Sequence, residues 1–163
     1  MKIRFLSIFA AAALLAACDS APENTGATGK GGQVTPPQST ASQIAPGSIA
    51  DFNATAGDRV FFEYNKSNIG ADAKVTLDKQ VAWLKKYPNY AITVEGHADE
   101  RGTREYNLAL GDKRAAATKK YLVAAGLPAA RVKTISYGKE RPAELGSTEA
   151  AWAKNRRAVT VLQ

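Results

Sequence analysis

Between Glu95 and Gly102 the chain reads Glu-Gly-His-Ala-Asp-Glu-Arg-Gly, five ionisable side chains in eight residues. A polar loop leaving the end of a strand is a common place for a ligand site. Asn107, Gly111 and Arg114 follow at spacings of four and three. On a helix that is two turns with a drift of only ~20°, so one face carries an amide, a gap and a guanidinium. A small polar ligand could lie in the gap. Asp99 could accept from an ammonium while Arg114 holds a carboxylate through two parallel hydrogen bonds, a pairing suited to the head group of a free amino acid. Spacing alone does not bring the two together. The same residues also fit a plainer arrangement, in which Asp99 caps its loop and Arg114 pairs with an acid on a solvated helix face. His97 is expected as a hydrogen-bonded imidazole at the strand end rather than as a ligand contact.

What is scarce narrows the chemistry further. One cysteine and one histidine in 163 residues exclude intrachain disulfides, CxxC redox chemistry and a Cys/His zinc cluster. No nucleophile with a base, and no carboxylate pair at working distance, emerges from the pattern. The expectation is therefore a binding protein with no catalytic residue, no metal and no cofactor.

Holding the loop in place requires a strand before it and a helix after it, and the flanking pattern supplies both. Ile92 and Val94 alternate with Thr93 and Glu95 in a strand over 90–97. Thr103 is a fair N-cap, Glu105 adds negative charge to the first turn, and Tyr106, Leu110, Ala117 and Tyr121 form a stripe before Gly126-Leu127-Pro128 ends the helix. Upstream, Val60, Phe62 and Tyr64 read as a first strand. Leu77, Val81 and Leu84 are spaced as a helix over 71–87, stopped by Pro88. Downstream come a strand over 132–137, a short helix over 147–154 capped by Ser147, and a strand over 157–162. The order β-α-β-α-β-α-β implies an α/β (α+β) domain, a four-stranded sheet covered by helices on one side.

Ahead of this domain stand two segments of different character. Lys2 and Arg4 precede an apolar stretch over 5–17, and Leu15-Ala16-Ala17-Cys18 closes it as a lipobox. Residues 1–17 are expected to be a lipoprotein signal peptide and Cys18 an acylated membrane anchor, whose acyl chains each contribute ~0.8 kcal/mol per buried CH₂. Over 19–55, 18 of 37 residues are Gly, Pro, Ser or Thr, too few apolar groups for a core. Residues 18–56 are accordingly expected to be a flexible linker, with a random-coil reach of roughly 30–35 Å, and residues 57–163 the folded domain. From Gly57 on, nineteen Lys and Arg face twelve Asp and Glu, a balance suited to an anionic surface. Lys85, Lys86, Lys119 and Lys120 are expected on solvated faces. Arg141 with Asn155-Arg156-Arg157 could form a phosphate patch, but export from the cytoplasm removes nucleic acid as a partner.

Four ordered motifs now stand out: Glu95-Gly96-His97-Ala98-Asp99-Glu100-Arg101-Gly102-Thr103, Glu105-Tyr106-Asn107-Leu108-Ala109-Leu110-Gly111 with Arg114-Ala115, Ser136-Tyr137-Gly138-Lys139-Glu140-Arg141-Pro142, and Asn155-Arg156-Arg157. Together they resemble the OmpA-like domain family. The resemblance runs from about Arg59 to the C-terminus, and the lipobox and linker match the layout of its lipid-anchored members. It implies a four-stranded mixed sheet and a periplasmic domain that binds peptidoglycan non-covalently through the diaminopimelate of the stem peptide, while the acyl anchor sits in the outer membrane. It further implies the β-propeller TolB and other Tol-Pal components as partners, in envelope integrity and cell division. A protein-interaction module for TolB with weak wall binding is the second reading.

Residue by residue, Asp99 matches the family's ligand-binding aspartate and Arg114 its arginine. Asn107 and Leu110 match the helix motif, which implies that they shape the pocket, with Asn107 orienting the loop. Phe62 and Glu63 stand at the family's Phe-Asp pair, where an acid frames the site. The family commonly reads Phe-Asp-Phe-Asp. This chain reads Phe62-Glu63-Tyr64-Asn65, with an amide in place of the second acid. Of the two closing arginines, one is expected to pack and pair and the other to be exposed.

Overall fold

The computed structural model describes residues 44–163; the expected signal peptide 1–17, the acylated Cys18 and the linker as far as residue 43 lie outside the described residues. The elements in chain order are α1 (Ile49–Thr55), β1 (Arg59–Phe61), α2 (Ala71–Lys86), β2 (Ile92–His97), α3 (Arg104–Ala124), a 3-10 turn (Ala129–Arg131), β3 (Val132–Gly138), α4 (Glu149–Asn155) and β4 (Arg157–Leu162). The sheet runs β1-β4-β2-β3. β2 and β3 are parallel, and β4 is antiparallel to both its neighbours. This is the mixed four-stranded sheet expected, and no described helix is long and apolar enough to cross a membrane.

One face of the sheet forms the core. Val60, Ile92, Val94, Val132, Ala158 and Leu162 meet Leu77, Val81 and Leu84 of α2 and Ala115 and Leu122 of α3. Apolar packing is joined there by a buried polar tie, in which the Thr160 hydroxyl donates to Gln80 Oε1 at 2.9 Å and Gln80 Nε2 to the Gly57 carbonyl at 2.7 Å.

α1 corrects the expected extent of the linker, since residues 49–55 are helical and not extended coil. The Ser48 hydroxyl caps it by accepting from the Asp51 N–H. Phe52 is fully buried with its ring edge-on to Trp83, 5.0 Å between centroids. A lone aromatic in a polar stretch has no periodicity to announce a helix, and only the complementary ring of Trp83 gives it a reason to fold. Other boundaries shift less. β1 is shorter than the Val60-Phe62-Tyr64 alternation predicts, although the Phe62 N–H still donates to the Arg156 carbonyl at 2.9 Å. Beyond it the chain turns through Asn65 at φ 54°. The cap of α4 is Thr148 and not Ser147, because the Thr148 hydroxyl receives the Ala151 N–H.

The largest correction concerns the inward face of α3. The expected stripe of Tyr106, Leu110, Ala117 and Tyr121 is not the buried one. Asn107, Gly111, Arg114, Ala115, Thr118 and Leu122 face inward, and Tyr106 is exposed. Gly96 and Gly111 explain this choice, for the helix rests on β2 at these two residues. A Cβ added to Gly96 would stand 1.8 Å from the Gly111 carbonyl oxygen, and one added to Gly111 would stand 2.3 Å from Ser136 Oγ. The gap that spacing offered to a small ligand at Gly111 is filled by the strand itself.

Candidate functional site

The close contact of α3 with β2 fixes where the β2–α3 loop can go. At its start the Ala98 N–H donates to the Gly138 carbonyl at 2.8 Å, tying the chain to the end of β3. At its far end Asn107 on α3 reaches back, Nδ2 donating to the carbonyls of Arg101 at 2.9 Å and Thr103 at 3.0 Å. The amide therefore closes the loop on itself.

Inside that loop Asp99 is almost fully buried, at 5% exposure. Its Oδ1 accepts from the backbone N–H and from Nε of Arg101, both at 3.1 Å, and its Oδ2 from Arg101 Nη2 at 2.7 Å and Arg156 Nη1 at 3.5 Å. Burial alone would raise the carboxyl pKa, but these bonds and the Arg101 charge overcome it and hold the pKa below its usual value. The group is ionised at neutral pH. Arg101 packs against two rings, its guanidinium carbon 4.1 Å from the centre of Tyr64 and 4.0 Å from that of Trp152. Trp152 is steadied in turn by donating to Glu100 at 3.0 Å. Arg156 bridges three elements, with Nε donating to the Phe62 carbonyl at 3.1 Å and Nη2 to Glu149 at 2.7 Å.

A pocket of about 110 Å³ opens beside this cluster, lined by Tyr64, Asn65, Asp99, Arg101, Gly102, Tyr106, Asn107 and Leu110. The Tyr106 hydroxyl donates to Asn65 Oδ1 across it. The amide at 65, where an acid is usual in the family pattern, thus accepts a neutral hydrogen bond.

Arg114 lies beneath the pocket and not in its wall. It is fully buried and donates to three backbone carbonyls, Lys66 at 2.9 Å, His97 at 2.8 Å and Glu63 at 3.2 Å, with its guanidinium 5.2 Å from the Phe62 ring centre. Its helix face is not solvated, and among the described residues it pairs with no acid. Burial pushes its pKa down to about 10, partly offset by the Asp99 charge and deepened by Arg156, so it stays protonated at neutral pH. Three of its five N–H groups are spent on the carbonyls. Glu63 turns elsewhere. Its exposed carboxylate pairs with Lys66, and with Phe62 it lines a broader groove of about 450 Å³ between β1 and the start of α2. That groove is the larger of the two but holds no cluster of buried charge.

Two expectations about basic and titratable residues need correcting. Arg156 and Arg157 are both buried, each at 7% exposure, because Arg157 points inward and Nη2 donates to the Arg141 carbonyl at 3.1 Å. His97 is buried, yet neither ring nitrogen has a hydrogen-bond partner among the described residues, and the Glu95 carboxylate stays 3.7 Å away. Burial, then the charges of Arg157 and Arg141, lower its pKa to about 4. Arg101, Arg156, Tyr64 and Trp152 are site residues that the sequence reading did not assign. For Arg101 a signal was present in its place two residues after Asp99, the reach of a local ion pair. Among the described residues no group of three His, Cys, Asp or Glu side chains stands close enough to hold a metal ion.

Residues 61–156 match the OmpA family. A relative from Agrobacterium fabrum, a peptidoglycan-associated lipoprotein, is 55% identical over 141 residues, 86% of this chain and 75% of its own. One of the same description from Rhizobium meliloti is 60% identical over 122 residues, 75% of this chain and 69% of its own. The crystal structure of the peptidoglycan-associated lipoprotein from Burkholderia pseudomallei superposes with a TM-score of 0.63 at 42% identity, over 65% of this chain and 90% of that one. The C-terminal domain of Helicobacter pylori MotB shares the fold, with a TM-score of 0.61 at 22% identity over 65% of this chain and 84% of that one.

Proposed function

This chain belongs to the OmpA family and within it to the peptidoglycan-associated lipoproteins, and we propose that it binds peptidoglycan non-covalently through the diaminopimelate of the stem peptide. One observation carries the reading. A buried, ionised carboxylate, Asp99, stands at the wall of a small pocket with two further arginines, Arg114 and Arg156, behind it. A neutral ligand would leave that arrangement without a purpose, whereas a group bearing both an ammonium and a carboxylate answers both signs of charge. Asp99 accepts from the ammonium. The Arg114 charge below attracts the carboxylate, Asn107 and Leu110 fix the pocket's shape, and Phe62 and Glu63 carry the carbonyls and ring that hold Arg114 in place.

The lipobox at Cys18 and the polar linker behind it support an acyl anchor, so the protein joins a membrane to the wall; the family's task points to the outer membrane, with the domain in the periplasm. TolB and the other Tol-Pal components are proposed as its protein partners at the same surface. Binding and tethering need no chemical step, and no residue set at the site is arranged for one.

The test is co-sedimentation with purified sacculi, competed by free meso-diaminopimelate, for the unaltered protein, Asp99→Asn and Arg114→Lys. Asp99→Asn is expected to weaken binding by about 10- to 100-fold, the worth of one charge-assisted hydrogen bond, and Arg114→Lys, which keeps the charge but not the planar fork, by less. If both variants bound sacculi like the unaltered protein, the site would be wrong.

A further inference from the structure

The Asp99 carboxylate is not vacant. Arg101 occupies it in the manner of a ligand, with Nε and Nη2 on its two oxygens at 3.1 and 2.7 Å and with its own backbone N–H also on Oδ1 at 3.1 Å. The rings of Tyr64 and Trp152 both stand against the guanidinium, its carbon within 4.1 Å of each ring centre. Arg101 is partly open to solvent on its remaining side, where Glu149 stands 3.8 Å from Nη1. An ammonium entering the pocket must therefore displace a bidentate arginine from a buried acid. A bare amine offers the displaced guanidinium no carboxylate in return and leaves it with solvent and the exposed Glu149, 3.8 Å from Nη1, in place of two short bonds to Asp99. A zwitterion brings its own replacement.

Resting on the function proposed above, we infer that Arg101 sets the specificity of the site by exchanging partners. The ligand's ammonium takes Asp99, and its carboxylate takes the guanidinium that Asp99 gives up. The exchange turns the one ion pair of Asp99 with Arg101 into two, whereas an ammonium alone only replaces one pair by another and leaves the guanidinium unpaired with a carboxylate of the pocket. It admits a side chain that ends in both an ammonium and a carboxylate, as diaminopimelate does, and rejects one that ends in an ammonium alone, as lysine does. The clamp serves this selection by raising the threshold for displacement. Discrimination of this kind comes from leaving a group unpaired when the wrong ligand binds, and not from better contacts with the right one.

The experiment is calorimetric titration with two tetrapeptides, L-Ala-γ-D-Glu-X-D-Ala, where X is meso-diaminopimelate or L-lysine, so that the pair differs by one carboxylate. The unaltered protein is expected to prefer the diaminopimelate peptide by about 10- to 100-fold, as one charge-assisted pair predicts. In Arg101→Gln that ratio should fall to about threefold or less, chiefly because the lysine peptide gains affinity. Arg101→Lys, which keeps the charge but loses the planar fork, should fall between. A structural role alone would lower both affinities together and leave the ratio unchanged, and an unchanged ratio overturns the inference. Should Arg101→Gln show no cooperative thermal transition, Trp152→Leu replaces it, since freeing one face of the guanidinium must also reduce the ratio. Asp99→Asn is run beside them. If it left binding of the diaminopimelate peptide intact, the site proposed above would itself fail; loss of binding there with an unchanged ratio in the Arg101 variants would refute the exchange alone.

Discussion

Arg114→Met offers a quantitative check on the buried scaffold under the pocket. Methionine keeps most of the volume and the packing over Phe62, so the main loss is the guanidinium. That group donates to the carbonyls of Glu63, Lys66 and His97, joining the turn after β1 to the last residue of β2. Each bond to a charged donor contributes about 1.5–3 kcal/mol. The sum is not the expected loss. The Glu63 and Lys66 carbonyls lie in a turn that water can reach once the arginine is gone, and only the bond to His97 is buried at both ends. Burial of the guanidinium also carries its own penalty, visible in a pKa lowered to about 10, and methionine escapes it. A net destabilisation of about 3–5 kcal/mol remains, typical of breaking one partner out of a buried charged network. Urea unfolding at pH 7 should show it as a lower midpoint at unchanged slope, with Arg114→Lys losing about half as much because one ammonium cannot span three acceptors. A loss below about 1 kcal/mol for Arg114→Met would refute the claim that this residue joins β1 to β2.

His97 should make stability fall in mild acid. Its folded pKa of about 4 lies below the ordinary 6.5, so the unfolded chain binds more protons in that window; nothing is lost above pH 6.5, and up to about 2–3 kcal/mol is lost by pH 4. His97→Gln should show a smaller drop in thermal midpoint between pH 7 and 4.5. The depressed carboxyl of Asp99 acts lower, its stabilisation disappearing only as pH falls below the usual carboxylate range. Gly96→Ala drives a Cβ to 1.8 Å from backbone oxygen and should cost more than about 3 kcal/mol or abolish folding, whereas Gly70→Ala, with nothing within 4 Å but at the N-cap of α2, should cost less than about 1 kcal/mol in the same unfolding assay. Phe52→Ala should cost about 3–4 kcal/mol and speed proteolysis within 49–55, and insensitivity to the substitution would detach α1 from the core.

Periodicity made α2 legible, because Leu77, Val81 and Leu84 bury apolar carbon and nothing else competes for that face. On α3 the same reasoning chose the wrong side. Tyr106 and Leu110 are the apolar residues a periodic reading favours, but the helix lies where Gly96 and Gly111 allow two backbones to touch, and that carries Asn107, Arg114 and Thr118 inward. Asn107 and Arg114 are satisfied there by backbone carbonyls of Glu63, Lys66, His97, Arg101 and Thr103, which no side-chain pattern encodes; the Thr118 hydroxyl has no partner among the described residues. The place of Asp99 on the loop was readable from residue types. Its present partner was not, since the pairing with Arg101 depends on the rings of Tyr64 and Trp152, 88 residues apart in the chain, converging on one guanidinium.

That convergence bears on why arginine recurs at this site. Arg101, Arg114 and Arg156 each satisfy several acceptors in different directions, and a lysine ammonium could not repeat the flat bidentate seat on Asp99 or the stack between two rings. The three differ in what they grip. Arg114 is held by carbonyls alone, and Arg156 by one carbonyl, the Asp99 carboxylate at 3.5 Å and the exposed Glu149. Only Arg101 is held mainly by the carboxylate at the pocket wall. Backbone carbonyls cannot leave, so Arg114 is a fixed charge; a carboxylate pair can be traded for an equivalent one, so Arg101 is a movable charge. A site built this way would keep its shape through the exchange proposed above, and its selectivity would then follow from what the incoming group returns to the arginine it displaces.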